Sequence, residues 1–77
     1  MILGESDVIM EMRGNVKCFM EGIDGLKDYS DTEIAVLIKG EPVILRGRNM
    51  YMFMLSQDRI GIRGEINCVI FGEENAE

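Results

Sequence analysis

An apolar residue followed by Arg-Gly and then an alternating run occurs three times in this chain. The copies are Met12-Arg13-Gly14, Leu45-Arg46-Gly47 and Ile62-Arg63-Gly64, with a looser one at Ile38-Lys39-Gly40. Glycine tolerates positive φ and close approach of another backbone, so its recurrence inside β-type sequence marks places where strands turn, bend or bulge. Between these steps the apolar residues keep period two. Val8, Met10 and Met12 alternate with Ile9, Glu11 and Arg13, and Val16, Cys18 and Met20 alternate with Lys17, Phe19 and Glu21. No window sets apolar residues at helical spacing among helix formers. The pattern predicts an all-β fold: one small domain of six or seven short strands in an antiparallel roll, a sandwich or a partly open barrel. A short β-solenoid is the alternative. The four glycines lie 26, 7 and 17 residues apart, too irregular for stacked rungs.

The breaks fall at Gly14-Asn15, at a polar stretch from Glu21 to Asp31 read as a loop around Ile23 and Leu26, at Gly40-Glu41-Pro42 and at Ser56-Gln57-Asp58. Arg48-Asn49 shifts the alternation by one residue and so predicts a bulge before Met50, Met52 and Met54. Ile60, Ile62, Ile66, Cys68 and Ile70 share one parity. The structured core is predicted over residues 8–72, with an acidic tail at 73–77.

Fourteen acidic residues against eight basic ones give a net charge of −6. That balance repels a phosphate backbone, so nucleic acid is not expected as a ligand. The start leads into Gly4, Glu5 and Asp7 rather than a basic region and an apolar core, and so predicts no secretion leader. The longest apolar runs, Ile34 to Ile38 and Met50 to Leu55, hold five and six residues, far short of a membrane-spanning helix. With two cysteines, Cys18 and Cys68, a cytoplasmic location is expected.

The chain contains no histidine, which excludes Ser-His, Cys-His and zinc-His chemistry. Cys18 and Cys68, both on the predicted inward parity, read as small core hydrophobes before they read as a redox pair. A small-molecule or divalent-cation-binding β domain is the alternative function, with Asp24, Asp28, Asp31 and Glu33 as its one candidate site; they lack the spacing of a calcium loop, and aspartate is ordinary turn chemistry. The alternating methionines fill a core more readily than they bind copper. No catalytic, cofactor-binding or metal site is nominated, and no cofactor is expected.

One feature does point outward. Opposite the predicted inward face lie Phe19, Leu37, Ile44, Tyr51, Phe53, Val69 and Phe71, including every phenylalanine. A sheet apolar on both faces must be covered on both, and an apolar outer face on so short a chain predicts self-association or a partner interface.

The order of motifs is itself informative. Gly14-Asn15, Phe19-Met20-Glu21, Gly25-Leu26, Tyr29-Ser30-Asp31, Glu33-Ile34, Gly40, Leu45-Arg46-Gly47, Met50-Tyr51-Met52 and Ile60-Gly61-Ile62-Arg63-Gly64-Glu65-Ile66 with Ile70-Phe71 follow in one register over residues 8–72. In this the chain resembles the YabP/YqfC family of sporulation proteins, and more its YqfC branch. It departs from the pattern at Gly22 and in the methionines at 50 to 54. The resemblance implies a non-enzymatic protein of the mother cell during endospore formation. It also implies a membrane-bound sporulation partner and brings no catalytic residues.

Overall fold

The structure, a computed structural model, describes residues 2–5 and 8–72. Among the described residues, seven strands form one antiparallel sheet in the order β1-β2-β3-β7-β6-β5-β4. They are β1 (Ile2–Glu5), β2 (Val8–Arg13), β3 (Lys17–Glu21), β4 (Gly25–Tyr29), β5 (Glu33–Ile38), β6 (Glu41–Leu55) and β7 (Arg59–Phe71). The all-β antiparallel expectation holds, and the solenoid alternative falls because every pairing is antiparallel.

The strands are not uniformly short. β6 and β7 run 15 and 13 residues and form one long hairpin that belongs to both halves of the sheet. β5 pairs only with Glu41–Arg46 of β6, and β3 pairs only with Arg59–Arg63 of β7. Between these halves the hairpin bends. The inner faces then meet in one core, with Cys18, Met20, Ile60 and Ile62 from one half against Ile34, Val36, Val43 and Leu45 from the other.

The bend is built from the Arg-Gly steps. A Cβ on Gly47 would sit 1.8 Å from the Glu65 carbonyl oxygen, and one on Gly64 would sit 2.6 Å from the Met50 Cα. Gly64 also has φ +138°, a region that L side chains rarely adopt. Asn49, at φ 54°, and Met50 together oppose Gly64, which is the bulge that the phase slip at Arg48-Asn49 predicts. The amides freed there find other partners: Gly47 N–H donates to the Thr32 carbonyl and Met50 N–H to the Asp31 carbonyl. Across the sheet, the Ile66 and Gly64 amides donate to the carbonyls of Asn15 and Val16 in the β2–β3 turn.

Several placements differ from the sequence reading. Residues 25–29, read as loop, form the edge strand β4; four of its five residues are exposed, so no apolar alternation betrays it. Strand β1 lies before the predicted start of the core and holds too few residues to show a period. Val16 is 57% exposed in the β2–β3 turn rather than inward. Phe53 is an extra residue between Met52, opposite Ile62, and Met54, opposite Gly61, which carries Met54 off the inward parity.

The largest correction is at Asn67. Arg46 opposes Cys68 and Gly47 opposes Ile66, so Asn67 is an unmatched bulge residue. It reverses the parity of the strand end. Val69 packs against the core and Phe71 shares the side of buried Val43, whereas Cys68 is exposed and Ile70 lies beside Ile44. Val69 and Phe71 therefore do not belong to the outer face. The predicted tail at 73–77 lies outside the described residues.

Candidate functional site

Directly opposed residues in an antiparallel sheet share a face. On the outer face of the β2-β3-β7-β6 half, one row across four strands reads Arg13, Lys17, Arg63 and Tyr51, and the next reads Glu11, Phe19 and Gly61. The extra residue Phe53 folds its ring over Gly61, where a Cβ would come within 2.6 Å of the ring. Gly61 thus makes room for a flat aromatic on the sheet. The Phe19 ring stacks beside it with centroids 6.2 Å apart.

Two cations close on the same ring. Lys17 Nζ lies 5.3 Å and the Arg63 guanidinium 5.2 Å from the Phe53 centroid, both within cation–π range. Among the described residues, four arginines each have a carboxylate: Arg13 with Glu11 at 2.7 Å, Arg46 with Glu33 at 3.2 Å, Arg48 with Glu65 at 3.0 Å and Arg59 with Glu21 at 3.4 Å. Arg63 has none there. It faces Lys17 across one strand boundary and Tyr51 across the other. Like charges set directly opposite one another are unfavourable in a sheet, and here the chain places three in succession.

The row borders a shallow open depression of about 500 Å³ lined by Arg13, Val16, Lys17, Tyr51, Arg63 and Gly64. Tyr51 and Phe53 remain 48% and 38% exposed. Of the seven outer-face residues expected from sequence, the fold brings Phe19, Tyr51 and Phe53 together here. Leu37 and Ile44 are half-buried on the outer face of the other half; Val69 packs against the core, and Phe71 follows it on that side of the sheet but is 57% exposed. The cations were missed because residue pattern gives no cross-strand register, although each arginine of the Arg-Gly steps is an obvious candidate.

The remaining candidate chemistry is dispersed. Asp24 accepts a hydrogen bond from the Gly40 amide at 3.0 Å and Glu33 pairs with Arg46. Among the described residues no three carboxylate, cysteine or histidine side chains converge to hold a metal ion. No described helix is long and apolar enough to cross a membrane.

The cysteines separate into two environments. Cys18 is fully buried opposite Ile62, and Cys68 is exposed opposite Arg46. Burial pushes the Cys18 thiol up from 9.0 to about 12. The folded state therefore holds this proton more tightly than the unfolded chain, a contribution to stability present below pH 9 and lost as pH rises toward 12. An alkylating reagent at neutral pH is expected to modify Cys68 promptly and Cys18 only after denaturation. Two fast-reacting thiols in the folded protein would contradict this placement.

With the geometry in view, a family model accounts for nearly the whole chain: that of the YabP family matches residues 4–77. The chain belongs to the YabP family. The match runs through every strand of the outer-face site, and membership makes this a sporulation-related protein. No curated protein matches the chain.

Proposed function

We propose that the protein is a non-enzymatic assembly module of endospore formation, working in the mother cell by docking its outer sheet face on another chain. That chain is a membrane-bound sporulation protein or a further copy of this one. The observation that carries the reading is the aromatic platform of Phe19, Tyr51 and Phe53, left open on a sheet whose other face is already filled by the core. Exposed aromatics seated on rigid strands lose little conformational entropy on binding, which is why such residues dominate interface energetics. The absence of histidine and the dispersed carboxylates support a binding role over a catalytic one.

The test is genetic and biophysical together. In an endospore-forming host, deleting the gene is expected to lower the yield of heat-resistant spores. The double variant Tyr51→Ser/Phe53→Ser is expected to reproduce that defect while folding normally by circular dichroism. Its complex, isolated from sporulating cells, should dissociate at least about tenfold more readily. Full spore yield and an intact complex in the double variant would overturn the reading.

A further inference from the structure

We infer that the occupant of this face is a short acidic segment of a partner protein, bound by Lys17 and Arg63 with apolar contact to Tyr51 and Phe53. The inference rests on the docking reading above and specifies the partner's chemistry.

It follows from charge. Arg13, Lys17 and Arg63 stand side by side on three adjacent strands, spanning about 10 Å at the usual strand spacing. Glu11 neutralises Arg13. Among the described residues, Lys17 and Arg63 are left with each other and with the face of one phenyl ring. The ring offsets part of the repulsion, on the order of 1 kcal/mol per cation, but brings no countercharge. An anion between the two cations would remove the repulsion, and the depression bordered by Tyr51 and Val16 gives its neighbouring side chains an apolar wall.

The size of the patch selects the kind of anion. Lys17 and Arg63, without a carboxylate partner among the described residues, are two cations on a chain of net charge −6, too few to hold an anionic bilayer, where each basic residue contributes about 1 kcal/mol. Nucleic acid demands more still, since a protein held by its backbone makes roughly 6–10 phosphate contacts. Any long polyanion following the strands away from the row would also meet Glu11 and Glu21. Two or three carboxylates on a short peptide match the two cations Lys17 and Arg63 in number.

The test uses the full chain and the blocked pentapeptide Glu-Phe-Glu-Leu-Glu, followed by backbone amide shifts. Shifts are expected at Lys17, Arg63, Tyr51, Phe53 and their neighbours. Affinity should fall at least about tenfold as salt shortens the screening length from about 30 Å to about 3 Å. Lys17→Glu/Arg63→Glu should abolish the shifts, and Lys17→Gln/Arg63→Gln should weaken them in a protein whose circular dichroism is unchanged. Absence of shifts overturns the inference. So does charge-dependent binding of phosphatidylglycerol vesicles or oligothymidylate in place of the peptide. The two readings separate in the cellular complex: if Tyr51→Ser/Phe53→Ser dissociates it and Lys17→Glu/Arg63→Glu does not, only the acidic-segment inference falls. If neither variant dissociates it, the docking face itself falls.

Discussion

Gly47→Ala is expected to cost about 3 kcal/mol or more, a large part of the roughly 4–12 kcal/mol available to a domain of this length. The new methyl group would lie 1.8 Å from the Glu65 carbonyl oxygen and 3.1 Å from the Ile66 Cα. Both are backbone atoms, so no side chain can swing aside. Relief requires the two longest strands to separate where the Gly47 amide is also bonded to the Thr32 carbonyl. The β4–β5 turn would be released along with the β6–β7 ladder. Urea unfolding of the variant should show a much lower midpoint, or an unfolded chain without denaturant. A midpoint within experimental error of the parent protein would refute the close approach at this bend.

Gly64→Ala is expected to be nearly as damaging, by about 2–4 kcal/mol, through two causes that add. Its φ of +138° is strained for any L side chain, and the methyl would meet the Asn49 carbonyl oxygen and the Met50 Cα at 2.6 Å. Gly14→Ala is the control within the same repeated motif. Gly14 has φ +58° in a turn and nothing within 4 Å of its absent Cβ, so alanine there should cost only about 1 kcal/mol. Thermal melts of the pair should separate clearly. Equal losses would mean that the bend contributes no more than the turn.

These outcomes bear on how much of the molecule its residue order reveals. The Arg-Gly steps are visible at once, yet the copies perform different tasks: Gly14 and Gly40 sit in open turns, whereas Gly47 and Gly64 let two backbones cross. Period two over Lys17–Glu21 and Glu33–Ile38 identified those strands because each has one face on the core. The slip at Arg48-Asn49 was legible because polar residues interrupt an apolar run. The bulge at Asn67 was not. After it come Cys68, Val69, Ile70 and Phe71, an unbroken apolar stretch on which either parity can be read. Strand β4 escaped for the opposite reason, since its exposed edge carries no apolar alternation.

The outer-face site was half visible. Phe19, Tyr51 and Phe53 stand out as aromatics opposite the inward parity, but residue order does not single out Lys17 and Arg63. They lie 46 positions apart in the chain, and only the β3–β7 register makes them directly opposed neighbours. Likewise nothing in residue order alone sets Phe53 over Gly61, because that contact depends on an extra residue in β6 matched against a glycine in β7.

By itself the sequence determined the fold class, the antiparallel turns, most of the core and the family, because side-chain period and glycine placement act over a few residues. The tertiary structure alone decided which residues share a face and which charges meet. Both depend on cross-strand register, and a single bulge residue resets that register for the rest of its strand.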